Sequence, residues 1–496
     1  MRDADPLVAG LVEEVLQRVR AELAARGGTP VARPGSPGQR EATAGGRPGT
    51  GTGRDGVFRT VNEAVAAARA SQPALAALGL AARGAVTAVV RDLCASHAEE
   101  WGRLELEETG IGRLDHKIEK LRLIRHVLGV EAMRTEARTD ANGTCIIEAA
   151  PWGVVGLALP ATHSAPTMAS NAINLLAAGN AAVFSPHPAG ARIAARALSA
   201  FNRGIEAAAG IRNLLCMIES PSIESTVELF GHPDVALICV TGGRAVVEAA
   251  MRTGKRVIAA GPGNPPVVVD ETADLDRAAR SIVAGAAFDN NLLCIGEKEV
   301  FVVESVAPAL LAAMRRSGAV ELNAGQIERL TAAALTVERA AGGTPGEVHV
   351  NKEFVGRDAA VLARAAGLSV PAATELLFGE TAEDHPFVQV EQMMPFLPVV
   401  RVACIGRAIE AAVRAEHGYR HTAVIHSADP ERVARMARAL NTTILVHNGS
   451  SLAALGHGSA GYHSHSIATP TGEGITTPMT FTRQRMITSV GPLRIY

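Results

Sequence analysis

The sequence predicts an α/β fold carried by two parallel sheets. Short apolar runs alternate with helical stretches from residue 153 onward, and the alternation starts afresh after Gly261-Pro262-Gly263-Asn264-Pro265-Pro266. At 496 residues the chain is also too long for one core, which calls for two large lobes plus smaller pieces.

The first element is an amphipathic helix over residues 5–25. Asp5 can cap it, Pro6 suits the first helical position and Gly27-Gly28 stops it. Leu7, Val8, Leu11, Val12, Val15, Leu16, Val19 and Leu23 form one apolar stripe, while Glu14 and Arg18 are spaced to pair on the opposite face. Residues 27–56 are Gly, Pro, Thr, Ser and Arg with few large apolar side chains, the composition of a flexible tether. A tether of that length holds the helix within about 30 Å of the main body on average. The helix could fold back on that body, but so long a tether favours docking into a groove on another protein. Glu13, Glu14 and Glu22 argue against a mitochondrial presequence, and the apolar core of a signal peptide is absent.

Residues 57–130 read as helical and Ala-rich. The first alternating series then runs as strand 153–159, helix 166–178 stopped by Gly179-Asn180, strand 181–184, helix 189–208, strand 214–218, strand 235–240 and helix 246–251. Ligands of such a sheet gather at the carboxyl ends of its strands, which singles out the loops 160–163, 185–188 and 241–244. The second series comprises strand 267–269, helix 274–288, strand 300–303, strand 397–402, strand 422–426, helix 430–440 and strand 443–447. The Gly-rich stretch 456–474 reads as loop, and Leu493-Arg494-Ile495 as a closing strand. The organisation is thus an N-terminal helix (1–26), a linker (27–56), a first α/β domain (57–262), a second α/β domain (263–447) and a C-terminal segment (448–496).

Composition narrows the function. With 48 basic and 50 acidic residues, no charge excess points to nucleic acid or a membrane surface, and no apolar run approaches a membrane span. The six cysteines are scattered with no CxxC pair, which fits reduced thiols in the cytoplasm and argues against a zinc site or a disulfide framework. His447, His457, His463 and His465 match no common metal-ligand spacing.

One cysteine stands apart. Cys294 lies in Asp289-Asn290-Asn291-Leu292-Leu293-Cys294-Ile295-Gly296-Glu297-Lys298-Glu299, a polar turn between the helix ending near Phe288 and the apolar run Val300–Val303. A helix-to-strand turn can present a thiol to a cleft and aim backbone N–H groups at what it attacks. No GxGxxG follows an early strand, yet Thr241-Gly242-Gly243 could hold a pyrophosphate through backbone N–H groups and the helix N-terminus.

Taken together and in order, Pro151-Trp152-Gly153-Val154-Val155-Gly156, Leu176-Ala177-Ala178-Gly179-Asn180-Ala181, Phe184-Ser185-Pro186-His187-Pro188, Val240-Thr241-Gly242-Gly243, the 261–266 run and the Cys294 turn resemble the aldehyde dehydrogenase superfamily. More narrowly they resemble its CoA-acylating branch from ethanolamine- and propanediol-utilisation microcompartments. The segments Glu391-Gln392-Met393-Met394-Pro395, 416–423 and Pro470-Thr471-Gly472-Glu473-Gly474 extend the match over residues 57–490. The resemblance implies two Rossmann-like domains, a homo-oligomer (dimer or tetramer) paired through strands near 136–153 and 475–496, and an N-terminal helix addressed to microcompartment shell or core proteins.

It also implies roles. Cys294 falls on the nucleophile, which attacks an aldehyde and becomes an acyl thioester after hydride leaves to a nicotinamide. Pro160-Ala161-Thr162-His163 falls on the loop whose Asn usually supplies a second oxyanion donor, so His163 takes that place here, unless it is a structural histidine. Glu391 falls on the ribose-binding carboxylate, with Pro395 in the same loop, and Thr162, Ser185, Pro186, His187, Thr241, Gly242, Gly243 and Gly261 on the cofactor cleft. NAD is the implied cofactor, with NADP possible and coenzyme A as co-substrate. Gly261–Asn264 lacks the carboxylate that hydrolytic relatives use to activate water, whereas a thiol with a pKa of about 8.5 ionises readily. The resulting expectation is a CoA-acylating dehydrogenase of a short acetaldehyde- or propionaldehyde-like substrate. Its rivals are a hydrolytic or histidinol-type dehydrogenase and a non-catalytic microcompartment interaction protein.

Overall fold

The computed structural model describes residue 53 and residues 55–339 and 345–491. The helix expected at 5–25, most of the tether and the strand expected at 493–495 lie outside the described residues.

Six parallel strands form the first sheet, in the order Val57–Phe58, Leu215–Ile218, Ala181–Pro186, Val154–Leu159, Val235–Thr241 and Arg256–Ala260. Both central strands are buried at every residue, which is why their sequences are apolar without alternation. A second sheet of seven parallel strands runs in the order Val320–Glu321, Leu377–Glu380, Phe396–Val402, Glu299–Val303, Pro266–Val269, Thr422–His426 and Ile444–His447. The chain leaves the first sheet at Ala260 and enters the second at Pro266, so the Gly-Pro-Gly-Asn run is the crossing between them.

Local chemistry sets the element ends. The wholly buried helix Ser164–Ala178 stops where Gly179 turns left-handed at φ 85° and donates its N–H to the last carbonyls. Asn180, next in line, accepts the Trp152 and Gly153 N–H groups at 2.7 and 3.0 Å and donates to the Phe481 carbonyl at 2.9 Å. One buried amide thereby ties the helix end to both long strands of a third, antiparallel sheet. That sheet has Gly143–Pro151 at its centre, flanked by Glu136–Asp140 and Thr482–Val490. Its outer strand is solvent-exposed from Arg483 to Val490, Met486 and Ile487 included.

Between the strands 299–303 and 396–402 the structure adds elements that sequence reasoning left blank: helices Ala307–Arg316, Ala324–Ala334 and Ala359–Ala365, and a hairpin of Leu335–Arg339 with Pro345–Val350. The stretch read as loop at 456–474 also contains Ile467–Ala468, laddered to Gly474–Ile475. Two-residue ladders are too short to leave a periodic signature.

Candidate active site

The helix Leu275–Ala287 ends just before Asp289, Asn290 and Asn291, three successive residues in the left-handed region at φ 51°, 55° and 64°. Aspartate and asparagine tolerate that conformation better than other side-chain-bearing residues, so the Asp-Asn-Asn triplet can reverse the chain there. Each side chain then anchors the reversal. Asp289 accepts the Lys120 ammonium at 2.5 Å and the Arg113 N–H at 2.9 Å, and its own N–H reaches His116 Nδ1 at 2.9 Å. Asn290 donates to the Gly356 carbonyl and to Asp358, both at 2.9 Å. Asn291 donates to the carbonyls of Ala286 and Glu297 at 2.9 and 3.0 Å.

Inside this turn lies the fully buried ammonium of Lys298. It donates to the carbonyls of Asn291 (2.9 Å) and Leu293 (3.1 Å) and to the Asn291 side chain. A charged donor with several oxygens converging on it pins residues 291–293 and so sets where Cys294 points.

Cys294 is half-buried. A side-chain carbon at Gly263 would come within 2.7 Å of the Cys294 carbonyl oxygen and 2.9 Å of His421 Cγ, so glycine lets the crossing segment pass between the nucleophile and that imidazole. Burial pushes the Cys294 thiol up to about 12, Glu391 adds to the rise, and Lys298 opposes it. Burial likewise raises the Glu391 carboxyl against the pull of Lys298 and the Gly263 N–H. Burial and then Lys298 hold His421 down to about 4, so its ring is neutral near pH 7. Its Nδ1 lies 2.8 Å from Thr422 Oγ1, and its buried Nε2 has no hydrogen-bond partner among the described residues. The resting centre pairs a thiol whose titration burial raises with a neutral imidazole.

The cleft loops converge as their positions on the sheet require. Leu159 pairs with Pro186, and Ala158 pairs with both Ser185 and Val240, so Thr162, Ser185–His187 and Thr241–Gly243 follow neighbouring strand ends on one edge. Gly243 caps helix Arg244–Met251 with no side-chain bond across its N–H groups, and open space surrounds both Gly242 and Gly243. That cradle fits a pyrophosphate. Other cleft residues are committed inward. Ser185 Oγ bonds Thr226 Oγ1 at 2.7 Å, His187 Nδ1 accepts the Ala189 N–H at 3.1 Å, and Thr241 Oγ1 bonds Ser466 Oγ at 2.9 Å. Gly261 packs under Pro470, and the Pro395 carbonyl accepts the Leu377 N–H at 3.0 Å, a framework contact.

His163 departs from its expected role as an oxyanion donor. Its Nε2 lies 3.0 Å from Thr162 Oγ1 and its Nδ1 3.4 Å from the Lys120 ammonium. The tautomer that satisfies both contacts has Nε2–H donating to Thr162 and Nδ1 accepting from Lys120, which leaves no ring N–H for an oxyanion. Burial and Lys120 hold the ring well below the usual histidine range, so a second N–H does not appear near neutrality.

Sequence reasoning missed Lys120, Lys298 and the base-like position of His421. Lys298 stood four residues beyond Cys294, and a lysine among Glu297 and Glu299 in an otherwise buried turn was the available signal. Lys120 is 169 residues from its partner Asp289, and no local pattern announces it.

The thiol's environment predicts its reactivity. Alkylation of the Cys294 peptide by iodoacetamide, followed by mass spectrometry in the ligand-free protein, should rise about tenfold per pH unit between pH 7 and 9, because thiolate is the reacting form. A plateau by pH 7 would show a pre-ionised thiol instead.

Residues 50–482 match the profile of the aldehyde dehydrogenase family. Acetylating acetaldehyde dehydrogenase EutE of Salmonella typhimurium is 46% identical over 443 residues, covering 89% of this chain and 93% of the relative. A Rhodopseudomonas palustris propionaldehyde dehydrogenase solved with bound CoA and an acylated cysteine superposes with a TM-score of 0.84 at 40% identity, over 89% of this chain and 100% of that one. A propionaldehyde dehydrogenase from the fucose utilisation microcompartment of Clostridium phytofermentans superposes with the same TM-score of 0.84 at 38% identity, over 89% and 100%. With a half-buried cysteine on a helix-to-strand turn and with relatives of this closeness along nearly the whole described chain, the protein belongs to the aldehyde dehydrogenase family.

Proposed function

We infer that this chain oxidises a short aldehyde to its acyl-CoA with NAD(P)+, through a thioester on Cys294. The observation that carries the reading is a Cys294 thiol in the field of Glu391 and Lys298, with Gly263 wedged between the Cys294 carbonyl and the His421 ring, whose Nε2 has no partner among the described residues. Cys294 gives its proton to solvent and its sulfur bonds the aldehyde carbon as the C=O π bond breaks, while the carbonyl oxygen gains the charge that the Cys294 N–H stabilises. Thr241–Gly243 and Glu391 would hold NAD(P)+, which when bound would supply the hydride acceptor. The thioester left on Cys294 then meets the CoA thiol. The neutral His421 ring can take that thiol's proton as its sulfur attacks, and Cys294 leaves as thiolate.

The segment 261–264 holds no carboxylate, and Glu391 approaches the thiol from the opposite loop, where burial disfavours its charged form. Water therefore lacks a base of the kind hydrolytic members need, which favours CoA over the hydrolytic reading. Reduced-nicotinamide absorbance across short aldehydes, with and without CoA, tests the assignment. Cys294→Ala should abolish turnover, by about a thousandfold or more. His421→Ala should slow steady turnover by about a hundredfold while leaving a burst of reduced nicotinamide close to one per active site, since only the acyl-transfer half needs the base. Full CoA-dependent activity in Cys294→Ala would refute the mechanism.

The same reading places the enzyme in the cytoplasm, within a protein-shelled compartment, with residues 5–25 docking to shell or core proteins. Support comes from the apolar stripe and tether in the sequence and from the microcompartment source of the Clostridium relative. Self-association through the exposed strand Thr482–Val490 is supported by its edge, unpaired among the described residues, and by Met486 and Ile487 on its surface. Removing residues 1–26 should leave kinetics unchanged and abolish co-sedimentation with assembled shells, and a loss of kinetics would instead place the helix on the enzyme body. Met486→Glu combined with Ile487→Lys should lower the mass measured by light scattering.

A further inference from the structure

His421 ends the loop that joins helix Ile405–Ala415 to strand Thr422–His426. The loop reaches it through three left-handed residues, His417, Gly418 and Arg420, at φ 56°, 74° and 54°. Such a backbone persists only where its surroundings hold it, and here both ends are held. The Ala415 carbonyl accepts from Asn264 at 2.9 Å, and the buried Glu416 carboxyl accepts the His421 N–H at 2.8 Å. The His421 carbonyl accepts the Ile444 N–H at 3.0 Å. The ring is committed on one side only. Its Nδ1 lies 2.8 Å from Thr422 Oγ1, and both side chains are sealed from solvent. Nε2 is buried with no partner among the described residues. Gly263 faces the ring at Cγ and Cδ2, and Nε2 is the next atom along that edge. Every polar atom of His421 but one therefore has a partner, and the one left over is the atom a ligand can meet.

The Thr422 hydroxyl decides what that atom can do. A neutral imidazole has one N–H and one lone pair, and the bond made by one nitrogen sets the state of the other. Were Thr422 to donate to Nδ1, the ring hydrogen would sit on Nε2, a buried donor without an acceptor and with no lone pair to take a proton. With Nδ1–H donating to Oγ1, Nε2 presents its lone pair, and the hydroxyl hydrogen rotates about its own C–O bond toward any other acceptor. The second arrangement also suits the ring once it is charged, because an imidazolium needs an acceptor at Nδ1 and already has one. Nothing has to turn as the proton arrives. Burial and then Lys298 oppose protonation of this ring, and the oxygen at Nδ1 is the group placed to offset them.

Resting on the function inferred above, we propose that Thr422 is the positioning residue of the acyl-transfer half of the reaction: its hydroxyl oxygen accepts Nδ1–H and keeps His421 in the tautomer whose Nε2 lone pair takes the proton of the CoA thiol. The S–H bond of CoA breaks as its sulfur bonds the thioester carbon, and the electrons of the C=O π bond move to oxygen. They return as the bond to the Cys294 sulfur breaks, and the imidazolium gives its proton to that departing sulfur. Thr422 touches none of the reacting atoms and acts only through the ring.

Thr422→Val puts a methyl group in place of the hydroxyl and suits a strand, so it removes the acceptor while keeping the side chain's shape. In the full chain with propanal, NAD+ and CoA near neutral pH, this variant should keep a burst of reduced nicotinamide of about one per active site and lose about tenfold in steady turnover. Thr422→Ser, which returns the oxygen, should recover most of that loss. Raising the pH past the thiol's own pKa of about 8.5 delivers CoA as thiolate, which needs no base, so the valine deficit should shrink to about twofold by about pH 9. A residue that only supports the fold would give a deficit indifferent to that change. The proposal is overturned by steady turnover in Thr422→Val within about twofold of the wild type, by loss of the burst along with turnover, by a deficit that keeps its size as pH rises, or by a serine variant as slow as the valine one. Any of these in an enzyme whose wild type makes acyl-CoA sinks the role of Thr422 alone, whereas a wild type that makes none sinks the acylating function and this role with it.

Discussion

The buried ion pair of Lys120 with Asp289 is the constraint on which the site depends. Lys120 belongs to helix Leu114–Arg122, packed among the helices of the first sheet, while Asp289 opens the turn that carries the nucleophile of the second. Both side chains are sealed from solvent. Burial pushes the Asp289 carboxyl up, but the ammoniums of Lys120 and Lys117 and the hydrogen bonds outweigh it and hold the group at about 2. Burial lowers the Lys120 ammonium against the pull of Asp289. Because the aspartate's folded value lies below its unfolded one, its contribution is complete above pH ~4 and is lost as pH falls. Desolvating two charges costs nearly what their attraction returns, so the pair's main effect is positional. Only one placement of the turn leaves neither charge unpaired, and that placement fixes the cleft between the halves.

A second cation governs the chemistry from beneath. Lys298 is surrounded by Glu297, Glu299, Glu391 and the Cys294 thiol, all of which share one ammonium. Burial drives the Glu297 carboxyl up to about 7 even though Ser451 donates to both its oxygens, at 2.8 and 2.7 Å. Glu299, whose oxygens have no partner among the described residues, is raised well above the carboxylate range by burial. Burial, with Glu391 beside it and Lys298 opposing, likewise pushes the Cys294 thiol up. An idle enzyme thus holds an unreactive sulfur, and reactivity appears when a ligand adds positive charge or removes the acid beside it.

Much of this could be read from the chain, for definable reasons. Strands such as Val154–Leu159 and Thr422–His426 are buried at every position and therefore announce themselves as unbroken apolar runs. The Asp-Asn-Asn-x-x-Cys turn was legible because left-handed conformations leave a compositional trace. The role of His163 was not, because residue type specifies two ring nitrogens but not which neighbours take them; Lys120, far away in sequence, claims one. His421 lies in segment 416–423 with no local signal of a role, since its significance comes from Gly263, across the crossing segment. The segments 136–153 and 475–496 came from the resemblance, while their pairing with each other within the chain is visible only in three dimensions.

The missing carboxylate at 261–264 is best understood by what occupies its place. Gly263 is there because nothing larger fits between the Cys294 carbonyl and the His421 ring. Asn264, fully buried, donates to the Val388 carbonyl at 3.0 Å and to the Ala415 carbonyl at 2.9 Å. Those two carbonyls belong to the segments that lead into Glu391 and into His421. An acid at Asn264 would carry no N–H to either carbonyl and would release both segments at once. The crossing therefore cannot both hold the acid and base in position and supply a carboxylate of its own. A site built this way is weak against water and adequate against a thiol, whose proton leaves at a pKa of about 8.5 and asks far less of a neutral imidazole. The choice of acceptor follows from the packing of one buried amide.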